Sequence, residues 1–328
     1  MAAFTPTDQD WMAAVGRMAS RARPLAQPNP GVGALIVRDN RIIARGWTQT
    51  GGRPHAEKHA LESLPESGAA GATLYVTLEP CAHASERGPA CCDEVVRAAP
   101  SRVVIGQIDP DPRTSGKGIA ALEAAGIATQ VLGDPASASS LAGFLARQKL
   151  GRPYVTLKLA MTADGCIALA DGTSQWITDE AARAHVHAVR AKNDAILVGG
   201  GTWRTDRPRL NVRLPGLEDR SPDRVVLTRS DTMPEDVTAL PSPQAISDLE
   251  DTHYLYVEGG AETAASFLKA DLVDELHIYR APILIGEGLR AIGPLGLTNL
   301  TEAHDNWQLD RRLTLGSDTF EAYLRQRD

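Results

Sequence analysis

Leu74-Tyr75-Val76-Thr77-Leu78-Glu79-Pro80-Cys81 decides how the first half of the chain is read. Five apolar or β-favouring residues predict a buried strand. The proline ends it, so Cys81 is delivered to a loop at the strand's carboxyl end. Upstream, Pro54 precedes His55-Ala56-Glu57 at the expected start of a short helix. Downstream, the turn Gly88-Pro89-Ala90 leads into Cys91-Cys92, where another helix is expected. One imidazole and two thiols at the ends of separate elements are thereby set to converge.

That donor set has a specific chemistry. A neutral histidine and two thiolates give zinc three protein ligands and leave a fourth position for water, which is the form of a catalytic rather than a structural site. Zinc brings the pKa of such a water near neutrality, and the H-x-E…P-C…C order is that of zinc deaminases acting on amidine-like ring carbons. A proton must pass from the water to the departing ammonia. Glu57, two residues from a ligand, is the expected carrier and is not expected to bind the metal. Cys91 ends the turn, whereas Cys92 would point about 100° away around the helix, so His55, Cys81 and Cys91 are the expected ligands. Both ligand cysteines are expected near helix N-termini, where the positive end of the dipole lowers a thiol pKa. Taken singly, H-x-E recurs by chance and cysteines are often only buried; the joint order specifies zinc. His83 reads either as a loop-stabilising side chain or as a substrate contact.

The remaining composition bounds the setting. With 328 residues the chain exceeds the size of most single cores, and 43% hydrophobic with 23% charged residues is ordinary for globular protein. A net charge of −7 and the lack of any Lys/Arg block argue against a nucleic-acid partner. A small phosphorylated ligand needs only a few arginines or backbone N–H groups. Asp8 and Asp10 precede any apolar run and no stretch is long enough to span a bilayer, so no membrane association and a cytoplasmic location are expected. Four cysteines are too few for a disulfide scaffold. A homo-oligomer is compatible with the sequence.

Helix and strand patterns alternate through both halves, predicting an α/β fold, with a boundary near residue 150: domains 1–150 and 151–328. In the first half Thr7 is expected to cap a helix carrying Trp11, Val15 and Met18, and 33–37 with 42–47 to form a hairpin. One helix is expected over 134–149. In the second half strands are expected at 154–161, 195–198, 225–227, 254–257 and 275–283, and helices at 179–191 and 261–269. Residues 231–251, rich in Pro, Ser and Asp, read as loop. No G-x-G-x-x-G follows a strand, which removes a Rossmann dinucleotide site. Gly199-Gly200-Gly201-Thr202 and Gly259-Gly260 read either as tight turns or as backbone that meets a phosphate.

Pro28-Asn29-Pro30-x-Val32-Gly33, His55-Ala56-Glu57, Thr77-Leu78-Glu79-Pro80-Cys81-Ala82-His83 and Asp109-Pro110 followed by Gly116-Lys117-Gly118 together resemble the deaminase half of the bifunctional riboflavin-biosynthesis deaminase–reductase family. The resemblance implies a cytidine-deaminase-like α/β/α domain with a mixed sheet, acting on a phosphorylated ribosylaminopyrimidine. It implies substrate contacts from Asn29, His83 and Asp109. Lys158 to Gly165, Ser174 to Thr178, Gly199 to Asp206 and Glu258-Gly259-Gly260 are similar to the reductase half of the same family, a dihydrofolate-reductase-like α/β domain. NADPH is implied against Trp176, Thr202, Asp206 and Gly260-Ala261-Glu262-Thr263-Ala264-Ala265-Ser266. Lys158, Ser174, Arg190, Leu210, Arg213 and Glu258 are implied against the substrate.

The chain departs from the family pattern in places. The loop from Ala82 to Ala90 is one residue longer, Glu86 and Arg87 stand where a basic residue is expected, and Asp111 replaces a common Asn. The stretch between Val226 and Tyr254 is shorter, and Arg207 stands in place of a second acid after Asp206. Two competing readings are weaker. Another zinc deaminase with an unrelated C-terminal domain leaves the second set of motifs unexplained, and a structural zinc clamp beside an NADP sensor would ordinarily have four protein ligands.

Overall fold

Thr7 starts the first helix as its sequence requires. In the computed structural model its hydroxyl accepts from Asp10 N at 3.3 Å while the Asp10 carboxylate accepts from Thr7 N at 2.8 Å, a reciprocal cap for α1 (Asp8–Ala19). The structure describes residues 6–65, 67–84, 88–230 and 233–327, so the expectations for Glu86 and Arg87 lie outside the described residues. The chain divides into two compact units between Gly151 and Arg152.

The first unit continues as β1 (Gly33–Arg38), β2 (Arg41–Trp47), α2 (Ala56–Leu61), β3 (Thr73–Leu78), α3 (Cys91–Ala98), β4 (Arg102–Gln107), α4 (Lys117–Ala124), β5 (Ala128–Val131), α5 (Pro135–Ser140) and α6 (Ala142–Leu150). Its sheet runs β2-β1-β3-β4-β5, with β1 antiparallel to both neighbours and β3, β4 and β5 parallel. Helices cover both faces, the arrangement a mixed sheet with buried central strands demands. Met12, Val15 and Met18 of α1 pack on Leu35, Val37, Tyr75 and Val104. Residues of alternate parity, Ile36, Leu74, Val76 and Ile105, meet Ala56, Ala60, Val95 and Leu122 on the other face. The single helix expected over 134–149 is two helices, broken at Leu141. Ser140 Oγ donates to Ser137 O, a side-chain bond that competes with helix continuation in this serine-rich run.

The second unit comprises β6 (Tyr154–Thr162), β7 (Cys166–Leu169), α7 (Glu180–Arg190), β8 (Ala195–Gly199), α8 (Gly200–Asp206), β9 (Asp223–Leu227), β10 (Val237–Leu240), β11 (Tyr254–Val257), α9 (Ala261–Lys269), β12 (Glu275–Ala281), β13 (Gly288–Arg290), β14 (Trp307–Leu315) and β15 (Asp318–Arg325). Eight strands form one sheet in the order β10-β9-β8-β11-β6-β12-β15-β14, and β13 pairs with β7. β10 through β12 run parallel, and β15 and β14 add an antiparallel edge. Period two sorts the core: Leu157, Leu197 and Leu255 meet Phe267 on one face, while Ile196, Val198 and Tyr256 meet Ala182, Tyr279 and Phe320 on the other. Asp274 gathers both ends of the unit, accepting from Arg152 at 2.7 and 2.9 Å, from Val155 N at 2.8 Å and from Arg327 at 2.6 Å.

Residues 231–251 are not simply loop. They hold β10 and a 3₁₀ helix at Pro243–Asp248, because Val237, Leu240 and Ile246 are buried despite the surrounding turn residues. Gly200 opens a helix rather than a turn. Among the described residues no helix is long and apolar enough to cross a membrane.

Candidate active sites

Three ligand atoms, from His55, Cys81 and Cys91, lie within 4.8 Å of one another, the one such metal-sized grouping found among the described residues. His55 caps α2, Cys81 follows β3, and Cys91 is the first residue of α3. His55 Nδ1 stands 3.1 Å from Cys91 Sγ and 3.7 Å from Cys81 Sγ. Tetrahedral zinc bonds of about 2.0 Å to nitrogen and about 2.3 Å to sulfur separate ligands by roughly 3.5 Å, so this donor set fits zinc in type and spacing. Cys92 Sγ instead turns to Asp93, at 3.8 Å.

Only Cys91 begins a helix; Cys81 sits in irregular chain, contrary to the expectation that both occupy helix N-termini. The Cys91 thiol donates to Cys81, and with His55 and the Cys91 N–H, at 3.3 Å, it pushes Cys81 down to about 4 against the effect of burial. The same bond and burial push Cys91 up. Glu57, 3% exposed, is pushed up to about 7 by burial.

Two close approaches set this cluster. A Cβ on Gly46 of β2 would fall 2.2 Å from Ala56 O and 2.5 Å from Ala60 N, so α2 rests directly on bare backbone. Gly52, at φ +83°, leaves room for Asn29, whose Nδ2 donates to Gly52 O at 2.9 Å and lies 3.1 Å from His55 Nε2.

The far wall is organised by a residue whose role the sequence reading missed. Buried Glu79 accepts from Gly118 N (3.0 Å), Ile119 N (3.2 Å), Gly116 N (3.0 Å) and Asp109 N (3.3 Å). It ties the 109–116 loop and the start of α4 to the strand that delivers Cys81. The signal was present: an acid at the end of a buried strand, answered by Gly116 and Gly118. Asp109 is pushed up to about 6 by burial and accepts from Asp111 N. Asp111 in turn pairs with Arg113, and His83 Nδ1 meets Thr114 Oγ1 at 3.3 Å.

In the second unit, Glu258 follows β11 with its side chain 9% exposed. Arg190 grips it at 2.6 and 3.0 Å and Lys158 lies at 3.6 Å. Burial opposes the charge, but Arg190 and then Lys158 outweigh it and push Glu258 down to about 2. Arg190 also donates to Asn211 O at 3.0 Å, so several of its N–H groups are engaged within the protein. Leu210, at φ +56°, packs in the core and turns the chain toward that carbonyl. Arg213 N donates to His187 Nδ1 at 3.3 Å, and the Arg213 side chain is exposed.

Next to this cluster opens a cleft of about 1100 Å³ at the carboxyl ends of β8, β9 and β11, the edge where parallel sheets place ligands. Of the residues that the resemblance sets against NADPH, Thr202, Gly260, Ala261, Glu262, Thr263 and Ser266 line it. Ala264 and Ala265 instead point into the core. Trp176, 67% exposed beneath Arg183, lies outside the lining, as do Ser174 and Asp206. A Cβ on Gly201 or Gly260 would meet no atom within 4 Å. Bare backbone therefore faces open space beside the first turn of α9, which suits a dinucleotide's diphosphate.

The two sites define a class: a zinc-dependent deaminase unit followed, in one chain, by a reductase unit. Residues 5–107 match the cytidine and deoxycytidylate deaminase zinc-binding region, and residues 153–320 match the RibD C-terminal domain. The riboflavin biosynthesis protein RibD of Escherichia coli is 37% identical over 90% of this chain and 94% of its own. The solved structure of Acinetobacter baumannii RibD superposes with a TM-score of 0.83 at 33% identity, covering 98% of this chain and 99% of that one. A Thermotoga maritima diaminohydroxyphosphoribosylaminopyrimidine deaminase/5-amino-6-(5-phosphoribosylamino)uracil reductase gives 0.83 at 29% identity, covering 98% of this chain and all of that one. The chain belongs to the RibD family of bifunctional riboflavin-biosynthesis enzymes.

Proposed function

We propose that residues 1–150 hydrolytically deaminate 2,5-diamino-6-(5-phosphoribosylamino)pyrimidin-4-one and that residues 151–328 reduce the ribosyl side chain of the product to ribityl with NADPH. The observation that carries this reading is the His55–Cys81–Cys91 cluster with buried Glu57, in one chain with a glycine-lined cleft beside the Lys158–Glu258–Arg190 cluster. The reading places the enzyme in the cytoplasm.

In the first unit His55, Cys81 and Cys91 hold zinc, which when bound supplies an activated water. Zinc held through His55 Nδ1 would leave Nε2 protonated. Glu57 carries the proton from water to the leaving amine. Asn29 holds the pyrimidine, while His83 and Asp109 bound the ribosyl phosphate end on the loop tied by Glu79.

In the second unit NADPH supplies hydride to C1′ of the opened ribosyl group. Thr202 and the first turn of α9 hold the cofactor. Lys158 faces the substrate, and Glu258, kept ionised between Lys158 and Arg190, orients both. Ser174, Leu210 and Arg213 complete the substrate side.

The test is product mass spectrometry on the diaminopyrimidine ribosyl phosphate. Loss of one amino group as ammonia is expected without NADPH, and a further gain of two hydrogens with it. Ammonia release with no NADPH oxidation would leave a deaminase joined to a non-catalytic unit; no ammonia release from zinc-loaded protein would overturn the first step.

A further inference from the structure

We infer that His187 is a positioning residue for the reductase step: it holds the segment 210–213 in place, so that Arg213 is presented to the phosphate of the substrate. This rests on the reductase reading above. Residues 207–213 form neither helix nor strand, so their backbone polar groups need partners from outside the segment. Three side chains supply them in succession. Arg190 donates to Asn211 O at 3.0 Å, Ser221 Oγ accepts from Val212 N at 3.0 Å, and His187 Nδ1 accepts from Arg213 N at 3.3 Å. Leu210 and Val212 are buried, whereas the Arg213 side chain is exposed. The backbone bond made by His187 is therefore the one at the residue that faces outward.

Two of these three partners belong to one helix. His187 and Arg190 stand three residues apart on α7, a spacing that puts them on one face, and Ala182 and Val186 of the same helix are seated in the core. Arg190 also grips Glu258, at 2.6 and 3.0 Å. A single rigid element thus fixes Glu258 at the reacting end and residues 211–213 at the binding end. Of the two arginines on the substrate side, Arg190 is engaged on Glu258 and Asn211, which leaves Arg213 as the fork for the phosphate. His187 is 8% exposed, and burial, with Arg190 and Arg213 beside it, holds it down at about 4 against the opposing charge of Glu258. At neutral pH it is uncharged, a ring whose Nδ1 accepts and which adds no positive charge next to Arg213. Truncating Arg190 would also release Glu258, whereas the His187 bond goes to the segment itself and isolates positioning from charge.

Steady-state NADPH oxidation by the full-length protein, with the deaminated ribosylaminopyrimidine phosphate as substrate, tests this. H187F and H187A both remove the acceptor, the first keeping a ring in its place, whereas in H187N an amide oxygen stands where Nδ1 did. H187F and H187A are expected to raise KM about 10-fold, the effect of leaving a backbone N–H unpaired, with kcat and the Kd for NADPH within about twofold of wild type. H187N is expected to restore KM. R213A should raise KM as well, and H187A added to it should change KM no further, because one residue acts through the other. Melting temperatures of all variants control for folding. Additive losses in the double variant would overturn the inference. So would an unchanged KM in H187A, or a raised KM in H187N beside a normal one in H187F, the pattern of a residue that only fills space. A wild type that does not oxidise NADPH on this substrate would sink the reductase reading itself, and this inference with it.

Discussion

At the scale of single residues, the proposed deaminase mechanism assigns metal binding and proton transfer to different groups. Glu57→Gln is expected to keep zinc at full occupancy while deamination falls by about 10²-fold or more, as when a general acid–base is lost. Near-normal turnover in that variant would remove Glu57 from the mechanism. Cys91→Ser should lose metal and Cys92→Ser should retain it, because only the former's sulfur faces His55; metal analysis of the two proteins decides. Glu79→Gln is the less obvious case. An amide would turn one of two acceptor oxygens into a donor facing backbone N–H groups, at a cost of about 1–3 kcal/mol. The loop bearing Asp109 should loosen, raising KM for the phosphorylated substrate with zinc content intact. An unchanged KM together with a lowered melting temperature would mean that Glu79 only stabilises the unit.

At the scale of elements, the contact of α2 with β2 is a tight constraint on the candidate metal site. Gly46→Ala has to displace Ala56 and Ala60, and with them His55 and Glu57, so we expect about 1–3 kcal/mol of destabilisation together with weaker zinc retention. Full stability and metal content in that variant would show that the helix can move freely. This contact was not legible in the sequence, where Gly46 is one small residue in a strand pattern; it exists only once the helix is laid on the sheet. The convergence of His55, Cys81 and Cys91 was legible, because their chemistry and their positions at element ends coincide in a short stretch. In the second unit β10 was hidden by Pro, Ser and Asp around a four-residue strand, while the alternation of Trp307, Leu309, Leu313 and Leu315 in β14 and of Phe320, Ala322 and Leu324 in β15 was a period-two signal that went unread. The placement of Ala264 and Ala265 follows from helical geometry: the expected cofactor-facing run spans two turns, and only one face of α9 can front the cleft.

Over the whole molecule, the two activities should respond independently. Glu258→Gln in the full chain should impair NADPH oxidation and leave ammonia release intact, since its ion-pair partners among the described residues, Lys158 and Arg190, belong to its own unit; a parallel loss of ammonia release would show coupling. Stability should also carry a pH signature from the second unit. Burial, reinforced by neighbouring positive groups, holds His185 and His187 down at about 4 against an ordinary 6.5. Between those values the unfolded chain takes up protons that the folded unit refuses, so stability falls as pH drops from about 6.5 toward about 4. His187→Gln keeps an acceptor for Arg213 N without the titration, and should flatten the change in melting temperature between pH 7 and pH 5. An identical slope in that variant would exclude His187 as a contributor.

Asp274 carries a consequence of another kind. Arg152, where the second unit begins, and Arg327, near its last strand, both end on this one carboxylate. Start and finish of the unit are thus side by side, and the order of its segments can be rewired without stretching the chain. A circular permutant of the second unit, joined from 327 to 152 through a few glycines and opened at the exposed turn around Gly316, should keep its sheet and its dinucleotide affinity. That layout makes the unit transplantable: it can hang from another protein's terminus or be inserted into a surface loop, because both of its ends leave from one place.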